Sequence, residues 1–105
     1  KGYAWDPSGR HVVAVLDDAE AGYPLVLASV DGTSEPTVLF NTKDNMDPSM
    51  IAVGDAVRLT WVAIDEKAPE DRRHRIVYVV DFQPGELGGL AGSADKPPAP
   101  GSAGG

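Results

Sequence analysis

The chain has 105 residues, a formal net charge of −7 and no cysteine. This length suits one small domain and excludes a complete β-propeller. Because neutralising a phosphate backbone needs clustered Lys and Arg, the acidic balance disfavours duplex DNA and anionic membrane surfaces as partners. The lack of cysteine excludes a disulfide, a thiolate zinc site and a cysteine nucleophile within this chain.

Strand patterns dominate the first half of the chain. Residues 11–16 form a β-branched run, and residues 23–32 form a second run that ends in the turn signal Asp31-Gly32. Residues 36–41 are the third predicted strand and are expected to form a hairpin with the second. The turn-rich stretch that follows is predicted to hold one short helical turn over residues 47–51.

The fourth predicted strand, residues 56–64, has the clearest alternation. Val57, Leu59, Trp61 and Ala63 are predicted to share one face of this strand, with Arg58 and Thr60 on the other. The charged residues 65–75 are expected to form an exposed loop before a fifth strand over residues 76–84, which ends at Pro84-Gly85.

Five strands with a turn-rich connection after the third predict an all-β, five-stranded Greek-key barrel of the oligonucleotide/oligosaccharide-binding (OB) kind over residues 11–84. Residues 85–105 are rich in Gly, Ala, Ser and Pro and are predicted to be a disordered tail. A short docking segment at Leu87 and Leu90 is the alternative. No run approaches the roughly eighteen apolar residues of a membrane span, so a soluble, cytoplasmic protein is expected.

Three short motifs occur one after another along the chain. They are W..SGR at residues 5–10, DPSMIAVGDAV at residues 47–57 and F.P at residues 82–84. In their order and spacing they resemble the OB-fold domain of zinc-ribbon/OB-fold proteins that partner thiolase-superfamily enzymes. The resemblance makes residues 1–10 a linker from an upstream zinc ribbon that this chain does not include, so no zinc role is expected here.

The resemblance also implies a function. Members of this family are accessory subunits of thiolases, hydroxymethylglutaryl-CoA synthases, acyltransferases and steroid side-chain aldolases, and they help to contain acyl-CoA. The chain is therefore expected to be a non-catalytic subunit in lipid or steroid degradation, with a coenzyme A thioester as its ligand. The catalytic Cys and His would belong to the thiolase-like partner.

The basic cluster at residues 70–75 is the candidate ligand site. Arg72, Arg73 and Arg75 are predicted to contact the phosphates of coenzyme A, because guanidinium groups pair well with phosphate oxygens. A solvated loop in which Glu70 and Asp71 partly cancel the positive charge is the preferred interpretation of this stretch, and the resemblance keeps the phosphate contact as a candidate.

Trp5 and Arg10 are the candidate partner-interface residues. Trp is enriched at protein interfaces, although Trp5 could instead cap one end of the barrel. Trp61 lies on the apolar face of its strand, so core packing is preferred over a stacking platform for adenine.

No other motif predicts catalysis. Asp17, Asp18 and Glu20, like Asp44 and Asp47, lack the spacing of a calcium loop and are interpreted as solvated turns. The serines lack the Gly-x-Ser-x-Gly elbow, and two histidines without cysteine make a metal site improbable.

Two other functions stay open. A propeller blade should repeat after about 40–50 residues, and only the tripeptide Asp47-Pro48-Ser49 echoes Asp6-Pro7-Ser8. Single-stranded nucleic-acid binding would need a positive groove and exposed aromatic residues on the second and third strands.

Overall fold

The computed structural model describes residues 2–32, 35–65, 69, 74–83 and 86 of the chain. These residues contain seven β-strands and no α-helix, which confirms the predicted all-β class. The strands are β1 (Tyr3–Trp5), β2 (His11–Val15), β3 (Leu25–Ser29), β4 (Thr37–Val38), β5 (Met46–Val53), β6 (Ala56–Ile64) and β7 (Arg75–Phe82). Most of the charged loop before β7 and nearly all of the predicted tail lie outside the described residues.

The first sheet has four antiparallel strands in the order β1-β2-β3-β4. Ala4 pairs with Val13, which in turn pairs with Leu27, so each strand adds its small or branched residues to the same inner face. Val26 pairs with Val38, which confirms the predicted hairpin between the second and third sequence runs. Strand β1 was not predicted, because its three residues are too few to show a period.

The second sheet has three antiparallel strands in the order β5-β6-β7. Strand β6 alternates between buried and half-buried residues along its whole length, which confirms the predicted alternation. A two-residue turn at Gly54 and Asp55 joins β5 to β6, with Val53 paired to Ala56. Gly54 has a φ of 58°, a conformation that glycine adopts without steric cost at this turn position.

The helical turn predicted over residues 47–51 is wrong, because this stretch belongs to strand β5. The Asp-Pro pair resembles a turn in sequence, but pairing with β6 decides the conformation. The ladder shifts register between Met46 and Ser49, and Asp47 has a φ of 52°. The turn-like residues therefore form a bulge at the start of the strand.

One hydrophobic core lies between the two sheets. Phe40, Trp61 and Tyr78 stack in its centre, with ring centroids 5.3 Å and 5.5 Å apart and planes within 13° of parallel. Trp61 is 1% exposed, so the core-packing interpretation of this residue is confirmed. Branched aliphatic residues of β2, β3 and β6 surround the stack.

The two sheets do not join into the closed five-stranded barrel that the sequence predicts. Strand β1 lies beside β5, and Gly2 approaches Pro48, but no ladder connects the two strands in the described part of the chain. Pro48 has no N–H to donate, and the bulge at Asp47 interrupts the regular spacing of backbone groups that a ladder needs. The other edge strands of the two sheets are β4 and β7. Strand β4 has only two residues, and β7 pairs with no described strand besides β6.

Candidate functional site

The first sheet carries apolar side chains on both faces. Its inner face packs into the core through Ala4, Val13, Val15, Leu25 and Leu27. The register also places the polar residues His11, Ser29 and Thr37 on this inner side, at its margins. Because side chains alternate along each strand, the other strand residues lie on the opposite face. These residues, which we call the outer face, are Tyr3, Trp5, Val12, Ala14, Val26, Ala28 and Val38. An antiparallel sheet that is solvated on one side normally carries polar residues there, and this one does not.

Backbone hydrogen bonds extend the outer face beyond the strands. The Val30 N–H donates to the Arg10 carbonyl at 3.0 Å, and the Leu16 N–H donates to the Pro24 carbonyl at 3.0 Å. Continuing the alternation puts the side chains of Arg10, Val30 and Leu16 on the same side as Trp5. The described residues include eight exposed large hydrophobic side chains, and five of them lie here: Tyr3, Trp5, Leu16, Val30 and Val38.

Two aromatic side chains dominate the exposed area of the outer face. Tyr3 is 66% exposed and Trp5 is 52% exposed, and they flank the inward-facing Ala4. Aromatic side chains bury about 150–250 Å² each when covered, so these two offer roughly 250 Å² of surface to a partner. With Leu16, Val30 and Val38, they place most of the exposed large hydrophobic side chains of the described residues on one face, and clustered exposed apolar side chains mark candidate interaction sites.

A tight turn fixes the position of Trp5 relative to Arg10. Asp6 is 4% exposed, and its carboxylate accepts hydrogen bonds from the backbone N–H and the hydroxyl of Ser8. The Asp6 N–H donates to the His11 carbonyl at 3.0 Å, which continues the ladder between β1 and β2. The motif that the sequence analysis singled out thus closes the β1–β2 hairpin.

Arg10 lies at the rim of the outer face. It lines a shallow pocket of about 400 Å³ together with Gly9, His11, Ser29, Val30 and Asp31. The Arg10 backbone N–H bonds to the Ser8 hydroxyl at 3.3 Å, whereas its guanidinium makes no hydrogen bond or ion pair with another described residue. Trp5 and Arg10, the two predicted interface residues, therefore share one face, where the guanidinium can accept a new partner.

Arg75 lies on the second sheet, beside a different pocket. This pocket has a volume of about 300 Å³ and is lined by Tyr23, Asp44, Asn45, Met46 and Arg75. The Arg75 guanidinium donates through Nη1 to the Asp44 carbonyl at 2.6 Å, which leaves its other N–H groups available for a ligand. Arg72 and Arg73 lie outside the described residues.

A buried polar network lies behind the Arg75 pocket. The Asn45 side chain is 3% exposed and donates to the carbonyls of Tyr23 and Thr42, both at 2.9 Å. The Thr42 hydroxyl donates to Asn45 Oδ1 at 2.6 Å and accepts from the Trp61 indole N–H at 3.1 Å. The network ties the loop before β5 to the aromatic stack. The sequence did not point to Thr42 and Asn45, because neither residue belongs to a periodic pattern.

The backbone around the Arg75 pocket is strained. Tyr23 and Asp44 have φ values of 50° and 51°, in a region that costs non-glycine residues on the order of 1 kcal/mol or more each. Two backbone hydrogen bonds hold them there, from the Tyr23 N–H to the Asp18 carbonyl and from the Asp44 N–H to the Gly22 carbonyl. The surrounding loops thus maintain the shape of the pocket.

A bidentate ion pair lies on the outward side of the second sheet. Arg58 donates to both oxygens of Asp81, at 2.8 Å and 2.9 Å. This hydrogen bonding lowers the pKa of Asp81 below its ordinary value and raises the pKa of Arg58. The pair joins β6 to β7 and keeps the Asp81 carboxylate charged.

Other site classes find little support in the described part of the chain. It contains no group of three His, Cys, Asp or Glu side chains that could hold a metal ion. His11 Nδ1 lies 3.7 Å from the Asp6 carboxylate, a single carboxylate that does not make a metal site by itself. Among these residues there is also no helix with the length and apolar character of a membrane span.

In comparisons with known proteins, no family model, no curated protein and no solved structure matches the chain.

Proposed function

We propose that this chain is a non-catalytic docking subunit that binds a partner protein through its outer face. The observation that carries the proposal is the uninterrupted apolar character of that face, on which Tyr3 and Trp5 are more than half exposed. Tyr, Trp and Arg are the residue types that most often dominate binding energy at protein interfaces. All three occur here, with Arg10 at the rim.

The charge on the outer face supports a heterologous partner. Its strand residues carry no carboxylate, so a second copy of the chain would offer Arg10 no acidic group from the corresponding strands. A partner with an apolar centre and an Asp or Glu opposite Arg10 would complement both features. This rim contact would mainly set orientation and association rate, whereas the aromatic residues would supply affinity.

We further propose that the partner belongs to the thiolase superfamily and that the assembly holds acyl-CoA. The sequence motifs at residues 5–10, 47–57 and 82–84 support this assignment through their resemblance to OB-fold accessory subunits. Within that proposal, the partner supplies the catalytic Cys and His. Arg75 is the described residue suited to a coenzyme A phosphate, because its guanidinium borders a pocket and keeps unpaired donors.

The test is co-purification of the tagged chain from its source extract, with three versions compared: wild type, Trp5→Ala and Ile51→Ala. Ile51 is the matched control, because it is 53% exposed and lies on the second sheet. We expect a thiolase-superfamily protein at near-equal stoichiometry with wild type and Ile51→Ala, and at least a tenfold loss with Trp5→Ala. Recovery of the chain alone, or equal recovery with all three versions, would overturn the proposal.

Single-stranded nucleic acid is a second candidate ligand. The exposed rings of Tyr3 and Trp5 beside Arg10 favour it, because bases stack on aromatic side chains next to cationic groups. The net charge of −7 opposes it. Quenching of Trp5 fluorescence by an oligonucleotide, with an affinity that falls steeply as salt is raised, would favour this function over protein docking.

A further inference from the structure

The pocket beside Arg10 lies where the ladder between β2 and β3 ends. Its volume is about 400 Å³. It is lined by two successive cross-strand pairs and by one flanking residue on each strand: Arg10 and Val30, His11 and Ser29, and Gly9 and Asp31. Neighbouring residues of a strand point to opposite faces, so a pocket lined by both pairs wraps around the end of the sheet. It therefore joins the rim of the outer face to the margin of the inner side.

Two tight turns hold the walls of this pocket. The Gly9 N–H donates to the Asp6 carbonyl at 2.8 Å, and the Gly32 N–H donates to the Ser29 carbonyl at 3.3 Å. The lining residues are therefore positioned by local backbone bonds before a ligand binds, which reduces the conformational entropy that binding would cost.

A buried carboxylate orients the imidazole of His11. The Asp6 side chain is 3% exposed, and its Oδ2 lies 3.7 Å from His11 Nδ1. The Ser8 hydroxyl also donates to Asp6 Oδ2, which holds the carboxylate in this position. Because Nδ1 faces Asp6, Nε2 is the ring nitrogen left for a ligand, and it bonds to no other described residue. Between Asp6 and a second carboxylate, the ring would bind as an imidazolium, which donates from both nitrogens.

Arg10 supplies a second donor group to the same pocket. Its guanidinium makes no hydrogen bond or ion pair with another described residue, and its planar fork of N–H groups matches a carboxylate. Ser29 and Asp31 have interactions of their own, so Arg10 and His11 are the groups that a ligand would engage. Because Asp31 adds a negative charge to the lining, a singly charged carboxylate suits the pocket better than a doubly charged phosphate.

The pocket adjoins the outer face on which the partner is proposed to dock. Trp5 pairs with Val12, and Arg10 lies two residues before Val12 on the same face, so Trp5 and Arg10 are diagonal neighbours about 7–8 Å apart. The exposed Val30 belongs to both the pocket and the outer face. A partner that covers Trp5 can therefore place one side chain in the pocket, with its methylene groups against Val30.

We infer that the pocket receives the carboxylate of an Asp or Glu side chain of the partner, bound by Arg10 and His11 together. This inference rests on the proposed docking function and deepens it, because it assigns the acidic contact to a defined pocket and adds His11 to that contact. A partner with a neutral side chain at this position would leave both donors without an acceptor. The pocket would thus select which proteins can dock.

The first test uses the full chain without a partner. The probe is N-acetylglutamate α-amide, whose one carboxylate is its side chain, and the matched control is the neutral N-acetylglutamine α-amide. We titrate both at about pH 6, where imidazoles readily take up a second proton. The probe should shift the NMR signals of the His11 ring and the Arg10 side chain with a millimolar dissociation constant, whereas the control should shift neither. His74, which does not line the pocket, is the internal reference.

The second test measures affinity for the partner recovered by co-purification. Arg10→Gln and His11→Gln should each raise the dissociation constant about tenfold, because a charge-assisted hydrogen bond is lost, and each should weaken binding of the probe. Trp5→Ala should weaken binding of the partner and leave binding of the probe unchanged, since Trp5 does not line the pocket. The indole N–H signal of the buried Trp61 checks that each variant is folded.

The outcomes separate this inference from the docking function. If the probe shifted His11 and Arg10 no more than the control did, the pocket would not be a carboxylate site, although a loss of partner with Trp5→Ala would still support docking. If the probe bound while both pocket variants kept wild-type affinity for the partner, the pocket would serve a free carboxylate and the inference would be wrong. If no partner bound the wild-type chain, the docking function and this inference would fall together.

Discussion

The Asn45 network gives the most quantitative prediction. Asn45→Ala removes two hydrogen bonds to the carbonyls of Tyr23 and Thr42 and one from the Thr42 hydroxyl. Because Asn45 and Thr42 are 3% and 6% exposed, water cannot readily replace the lost bonds. At about 1 kcal/mol for each bond, the free energy of unfolding should fall by about 3 kcal/mol.

This loss would be a large part of the total stability. A small domain of this size is stabilised by roughly 4–12 kcal/mol, and its urea m-value is about 1 kcal/mol per molar. The urea midpoint of Asn45→Ala should therefore fall by about 3 M, with an unchanged m-value. Asn41→Ala is the matched control, since Asn41 is exposed and lies four residues earlier; its free energy of unfolding should change by less than about 0.5 kcal/mol.

Tryptophan fluorescence is a suitable readout of this unfolding. Trp61 is buried in the aromatic stack and its indole N–H bonds to Thr42, so its emission reports directly on the network. The reasoning would be refuted if Asn45→Ala shifted the midpoint no more than Asn41→Ala. That result would mean that Thr42 and Tyr23 find equivalent partners without the Asn45 amide.

Three further predictions concern stability. Asp81→Asn should lower the urea midpoint slightly at neutral pH, because it removes the carboxylate that Arg58 binds. Since Arg58 lowers the pKa of Asp81, the difference in midpoint between wild type and variant should persist at pH values above 3.8, the ordinary pKa of an aspartate. It should vanish as the pH falls through the lowered pKa of the folded state. Gly54→Ala should cost about 1 kcal/mol in urea unfolding, because its φ of 58° disfavours a side chain, and an unchanged midpoint would contradict this account of the turn. Trp61→Phe should lower the free energy of unfolding by about 2–3 kcal/mol, because the smaller ring reduces contact with Phe40 and leaves Thr42 without the indole donor. A loss below about 1 kcal/mol would mean that the aromatic stack contributes little to stability.

The sequence predicts strands well where one face is buried and the other is solvated. Strand β6 has nine residues with an unbroken alternation, and both its bounds and its inward set were predicted correctly. Strand β5 was missed because its first residues resemble a turn, and only pairing with β6 makes them extended. Such tertiary pairing leaves no local signal in the sequence.

The outer face has a signal that the sequence analysis did not use. The runs that became β2 and β3 are apolar at nearly every position, without the alternation of β6. A continuous apolar run in a strand indicates that both faces are covered. In this chain the core covers the inner face, whereas Val26 is the one outer-face strand residue that is buried. The missing alternation could therefore have predicted a docking surface.

The location of the predicted site residues depended on register. Trp5 and Arg10 were chosen for their residue types and their place beside a turn, whereas the pairing of β1 with β2 sets them on one face. No periodicity in a three-residue strand could predict that pairing. Arg75 lies apart from them because β7 belongs to the other sheet. Its assignment to a coenzyme A phosphate rests on the resemblance and on the pocket beside it.

Footprinting of the outer face in the assembled complex tests the central claim most directly. Tyr3 and Trp5 are exposed in the free chain and should react readily with hydroxyl radicals, while the buried Trp61 should not. We predict strong protection of Tyr3 and Trp5 when the partner is bound, with Ile51 on the second sheet unchanged. If both aromatic residues stayed fully reactive in the complex, the partner would dock elsewhere and the outer face would not be the functional site.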